Sequence, residues 1–147
     1  MKISIAQVFK KDLIRLKLEI DAFELEENLW LKSEGINNSA GNLCLHIIGN
    51  LNNYIGAILG NTGYIRNRPL EFTDKVTKKN LLEKIENTQV VVLKTLESLK
   101  PEQLERIYPE DVLGYKMTTE YFLIHLIGHL NYHLGQINYH RRILCYN

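Results

Sequence analysis

Residues Thr118–Arg142 read TTEYFLIHLIGHLNYHLGQINYHRR, and four of the chain's five histidines fall within them. Phe122, Leu123, Leu126, Leu130, Leu134 and Ile137 recur at three and four, and Leu144 continues the row. At ~100° per residue they gather into one arc, the apolar face of a long helix. His125, His129 and His133 are spaced four apart, so they stand one above another on that helix. A helix rises ~1.5 Å per residue, so two such imidazoles can reach one ion, whereas three in a row span too far. His129 and His133 lie inside the apolar arc and His125 at its edge. A single histidine on a core face is ordinarily a hydrogen-bonded core residue, because an unpaired buried polar group is costly. A pair four apart points to a metal, with a further ligand supplied from elsewhere.

Working outward, the chain has 147 residues, enough for one domain (1–147) with a core that needs no staples. Eighteen Lys and Arg balance 17 acidic residues, which argues against nucleic acid as a partner, since that binding runs on phosphate neutralisation. Cys44 and Cys145 lack CxxC spacing, and Cys44 reads as a small core residue. No signal peptide is read at the start, and no apolar run approaches the ~20 residues that span a bilayer. A soluble cytoplasmic protein is expected.

Three further amphipathic helices precede the histidine helix. Ile5, Phe9, Leu13, Leu16, Ile20 and Phe23 predict the first, over about Ile3–Glu27. Turn residues fill Asn28–Gly41, and Ser39 is a predicted N-cap for a second helix over about Ala40–Leu59. Its stripe is Leu43, Ile47, Leu51, Tyr54 and Ile58. A third spans about Lys78–Leu99, with Leu81, Ile85, Val92, Leu96 and Leu99 inward, and Pro101 opens a short turn through Arg106. Pro109–Met117 is irregular, and Thr118 is the expected cap of the fourth helix. Between the second and third helices, Gly60–Val76 is too long for antiparallel neighbours. It is expected to cross from one end of a four-helix bundle to the other, leaving those two helices parallel.

LHIIGNLNNYIGAI (Leu45–Ile58) and IHLIGHLNYHLGQI (Ile124–Ile137) agree at seven of fourteen positions, pairing His46 with His125 and Asn52 with Asn131. They also match Gly49 with Gly128 and Gly56 with Gly135. Glycine inside a helix costs ~1 kcal/mol against alanine, so close approach of another helix is expected, within the bundle or from a second subunit. Tyr121, Ile124, Tyr132 and Tyr139 flank Gly128 and Gly135. So much aromatic surface favours a homodimer.

His46, the one histidine outside the last helix, is the natural third ligand beside His129 and His133. Three histidines leave a coordination position for water or substrate. Asn50, Gln136 and His125 are candidates for the outer shell, and no catalytic side chain is assigned.

Three motifs carry a family resemblance: NL..H..GN (Asn42, Leu43, His46, Gly49, Asn50), R.R..EF (Arg66, Arg68, Glu71, Phe72) and H...H.GQI (His129, His133, Gly135, Gln136, Ile137). In this order and spacing the chain resembles the DinB/YfiT-like superfamily, in particular a branch of uncharacterised bacterial proteins. The resemblance implies an all-α, up-down-down-up four-helix bundle. It also implies a divalent metal, usually zinc or nickel, on His46, His129 and His133. Characterised relatives include transferases and isomerases that use low-molecular-weight thiols.

Two functions follow. The first is an enzyme, a thiol-dependent S-transferase or hydrolase acting on a small molecule, because a metal on neutral histidines activates water or a thiol at neutral pH. No base like that of HExxH accompanies the histidines; Glu71 and Glu120 are the nearest acids, and neither is given a role. The second is a non-catalytic, stress-associated dimeric bundle in which the metal ties the second helix to the fourth. A fourth protein ligand would favour the second, an accessible pocket the first.

Overall fold

The computed structural model describes residues 1–145. Helix α1 spans Lys2–Asp21 and is followed by a 3-10 turn, Glu26–Trp30. Helix α2 spans Ala40–Leu51 and runs on through a π-helical turn, Asn52–Ala57, into a last turn at Ile58–Gly60. The short α3 (Arg68–Thr73) sits within the crossover, α4 spans Lys78–Ser98, α5 is Pro101–Glu105, and α6 spans Thr119–Cys145. Among the described residues the sole β pairing is an isolated bridge between Ile107 and Thr118.

Side-chain bonds fix the direction of each long helix. Lys2 at the start of α1 donates to the carbonyls of Glu97 and Leu99 at the end of α4, while Lys78 at the start of α4 donates to those of Asp21 and Phe23. These two helices are therefore antiparallel. Asp12 accepts from Asn131, and Glu19 from Asn138 and Arg141, so α1 and α6 ascend together. Asn52 bonds to Thr88, and the Gly56 and Gly60 backbones lie against Val91 and Thr95, which makes α2 and α4 parallel. His46 meets His129 while Tyr54 meets Phe122, which makes α2 and α6 antiparallel. The result is up-down-down-up, as the long crossover implies.

Local chemistry sets the helix ends. Ser39 accepts from the Asn42 amide, Thr77 from Asn80, and Thr118 from Tyr121, each as an N-cap. Helix α1 stops six residues short of the expected Glu27. The carbonyls of Asp21 and Phe23 are taken by Lys78, and Glu26 turns back to accept from the Lys78 amide. All six residues predicted for the first stripe are buried, as are the five of the third. The second departs from its predicted stripe: Ile55 is buried, whereas Tyr54 and Ile58 are only partly so. The helix widens there into the π turn, and the Tyr108 hydroxyl donates to the Tyr54 carbonyl at 2.7 Å.

The duplicated glycines do different things. A Cβ on Gly49 would stand 2.0 Å from a Glu71 oxygen, and one on Gly56 would stand 2.9 Å from Val91, so both serve packing inside the chain. A Cβ on Gly128 or Gly135 would meet nothing within 4 Å. Of the two neighbours expected for these glycines, a helix of the same bundle or a second subunit, the chain itself supplies the first only in α2. The repeated asparagines remain equivalent. Asn52 donates to its own i−4 carbonyl and to Thr88 on α4, Asn131 to its own i−4 carbonyl and to Asp12 on α1.

Candidate metal centre

Helices α2 and α6 cross so that His46, His129 and His133 face one another, with one ring nitrogen of each within 4.8 Å of the others. The Nε2 of His129 lies 3.1 Å from that of His46 and 3.2 Å from that of His133. His46 is buried and the other two are half-buried.

Protons on the far side of each ring decide what this cluster can do. His46 Nδ1 lies 2.9 Å from Glu71 Oε1, and His133 Nδ1 lies 2.7 Å from Gln136 Oε1. Both oxygens are acceptors, so each ring carries its proton on Nδ1 and presents a bare lone pair on Nε2. Both lone pairs point at His129 Nε2, which holds at most one proton to share. A cation answers such a surplus of lone pairs. Nitrogens bound tetrahedrally to zinc at ~2.0–2.1 Å stand roughly 3.3 Å apart, close to the two spacings observed. The residues fit a divalent ion.

Burial, with His133, His46, His125 and Arg66 adding to it, pushes His129 down to about 3. Burial likewise lowers His133. Both therefore stay neutral, as ligands must.

Glu71 completes the His46 side. Arg66 grips its carboxylate with two bonds of 2.8 and 2.9 Å. Burial pushes the Glu71 carboxyl up, but hydrogen bonds from His46 and Arg66 outweigh it and hold the group below its ordinary value. Helix α3, which carries Glu71, is pinned to α2 by Asn42, whose amide donates to the carbonyls of Glu71 and Asp74 at 3.1 and 2.9 Å. Gly49, one turn after His46, leaves the space that the carboxylate fills. Residues of the first two sequence motifs thus form one structure, a carboxylate clamp that orients His46.

Of the three residues expected in the outer shell, Gln136 bonds to His133. The bond to His46 comes from Glu71, not Asn50. Asn50 is 6% exposed and its amide oxygen has no hydrogen-bond partner among the described residues. His125 is exposed, stacks on Phe122 with ring centroids 5.9 Å apart, and stands outside the trio. Glu71 and Arg66 were legible as a motif, but a lone acid in the crossover, on a helix of only six residues, shows no periodicity from which to read its role.

Cavities flank the trio. One of about 370 Å³ is lined by His46 and His129 together with Asn50, Tyr54, Arg66 and Arg68. Another of about 660 Å³ is lined by His133 and Gln136 together with Leu43, Tyr132, Tyr139 and His140. Among the described residues no carboxylate lines either.

The profile of the DinB superfamily matches residues 21–137, most of the chain and all three histidines. The chain belongs to the DinB superfamily. Its fold is similar to solved structures of this type. A DinB-like protein from Bacillus cereus ATCC 10987 is 18% identical, with 95% of this chain and 90% of that one covered at a TM-score of 0.74. A DinB-like protein from Bacillus subtilis is 20% identical, covered at 98% and 93%, with a TM-score of 0.72. A conserved protein from Enterococcus faecalis is 17% identical, covered at 100% and 98%, with a TM-score of 0.77. At these identities the likeness establishes the DinB-type fold alone. No curated protein matches the sequence. Among the described residues no helix is long and apolar enough to cross a membrane.

Proposed function

We propose that this DinB-superfamily chain is a metal-dependent enzyme that transfers a group to or from a small thiol, with His46, His129 and His133 as the ligands of a zinc or nickel ion. The observation that carries this reading is the convergence of three imidazoles, with Nε2 atoms 3.1 and 3.2 Å apart, against open cavities. Among the described residues no fourth His, Cys, Asp or Glu joins the group. A closed structural site would have one. When bound, the ion supplies a Lewis acid that brings the pKa of water or a thiol towards neutrality.

The chain's own residues do the rest. Glu71 and Gln136 hold the His46 and His133 protons on Nδ1 and keep Nε2 free. Arg66 holds Glu71 anionic and in place, so Glu71 is a positioning residue and not a free base. That no carboxylate among the described residues lines either cavity favours thiol transfer over hydrolysis, because hydrolysis ordinarily enlists a general base. The hydrolytic reading would fall to His125, whose imidazole lines the smaller cavity. A non-catalytic role has less support, since a tie between two helices requires no cavity. The reading includes a homodimer through the exposed Tyr121, Ile124, Tyr132 and Tyr139 of α6, where Gly128 and Gly135 leave space for a second copy.

Elemental analysis of the purified protein should find about one divalent ion per chain. His46→Ala, His129→Ala and His133→Ala should each lose most of it, while His125→Ala keeps it. Full occupancy in any of the first three removes that residue from the set. A screen of small thiols with electrophilic acceptors then tests the reaction, and turnover by metal-free protein would sink the mechanism.

A further inference from the structure

The smaller cavity carries more information than its volume. Its cationic side chains differ in their commitments. Arg66 spends two guanidinium nitrogens on Glu71, and the two charges cancel. Arg68 is exposed, and among the described residues its guanidinium carbon lies 5.7 Å from the Phe72 ring centroid. It makes no ion pair there. With no carboxylate among the described residues of the wall, the cavity carries the positive charge of Arg68, to which a bound divalent ion would add.

The second feature is Asn50. A buried amide without partners costs ~1–3 kcal/mol, so a native protein keeps one where something else completes it. Asn50 lies one helical turn past His46 and lines the same cavity. Neither end of its amide bonds to the described protein, and its oxygen is among the few buried polar atoms left so. An amide can donate to an acceptor or accept from a donor, so it suits the polar part of an occupant.

We propose that this cavity binds a small substrate bearing a carboxylate, with Arg68 holding the carboxylate and Asn50 hydrogen-bonded to a polar group nearer the histidines. A guanidinium matches the planar, two-oxygen carboxylate. The cavity lies within the range of small-molecule sites, which begins at roughly 300 Å³. Apolar Val112, Phe122 and Leu126 complete the wall and suit a short carbon chain between the two polar ends. The inference deepens the proposed function and rests on its reading of this cavity as the substrate's.

Matched probes test it. 3-Mercaptopropionate and 2-mercaptoethanol share a thiol and differ at the other end in charge. Calorimetric titration of each is run on zinc-loaded and on metal-free protein. The acid should bind about tenfold more tightly than the alcohol in both forms, the scale of one charge-assisted hydrogen bond. Arg68→Ala should bring that ratio to near one, and Arg68→Lys should keep part of it; Arg68 is exposed, so both variants should fold. Asn50→Leu should weaken both probes while leaving the ratio intact. A ratio near one in the wild type, or a full ratio in Arg68→Ala, overturns the carboxylate site. Unchanged affinities in Asn50→Leu remove Asn50 from it. Zinc uptake without the preference defeats this inference alone, whereas the preference without zinc uptake defeats the metal reading alone.

Discussion

Gly49→Ala separates the structural account from a generic helical one. Helix propensity alone predicts that alanine stabilises the middle of α2 by ~1 kcal/mol. The structure predicts the reverse, because the new methyl carbon would lie 2.0 Å from Glu71 Oε2 and 2.6 Å from its Cδ. Ordinary contact needs over 3 Å, so the carboxylate must retreat by about 1 Å or more. It cannot then keep both its 2.9 Å bond to His46 and its 2.8 Å bond to Arg66. Losing one charge-assisted bond costs ~1.5–3 kcal/mol, which after the propensity gain leaves a net loss of roughly 0.5–2 kcal/mol. In a domain of this size that lowers Tm by about 1–8 °C. Metal affinity should fall further, by about 10–100-fold, the usual effect of removing the partner that orients a histidine ligand. Gly128→Ala, at the matching position of the repeat, is the control. Its methyl group meets nothing within the chain, so under conditions where the protein is monomeric it should gain up to ~1 kcal/mol and keep the metal. Zinc titration with a competing chelator and thermal melts of both variants decide the matter. If Gly49→Ala binds zinc as the wild type does and melts higher, Glu71 does not position His46.

Two further outcomes follow from burial and exposure. Burial pushes the Cys44 thiol far above its ordinary 9.0, so above that pH the unfolded chain releases a proton that the folded chain keeps. Stability is intact below pH ~9 and falls above it by up to ~1.4 kcal/mol per pH unit for this group; urea titrations across that range should show a shallower fall in Cys44→Ala, and equal slopes would refute the assignment. The proposed dimer should appear by light scattering at tens of micromolar, and Gly128→Leu/Gly135→Leu should be a folded monomer, since neither glycine has an internal neighbour to clash with; a wild-type monomer at that concentration ends the idea.

The four helices, their inward faces and the histidine pair were legible because a helix repeats every 3.6 residues and its buried side must be apolar. So Phe122, Leu126, Leu130 and Leu134 disclose the core side of α6, with His129 and His133 on it. The long crossover likewise disclosed that α2 and α4 are parallel. The same reasoning carried α1 on to Glu27, because nothing in one segment reveals that a lysine more than 50 residues away will take its last carbonyls. It left Tyr54 in the stripe of α2, because a π turn has no local sequence signature. It also treated the four repeated glycines as equals, although two are filled from inside and two face outward.

By itself, then, the sequence determined which residues could be ligands, since spacing along one helix is a local property. Only the tertiary structure decided what makes them a site. His46 is 83 residues from His129, and Glu71 reaches His46 because Asn42 fastens α3 across α2 and Gly49 makes room. Contacts between distant segments depend on how whole faces pack, and a one-dimensional pattern records the faces without recording the neighbours each will meet.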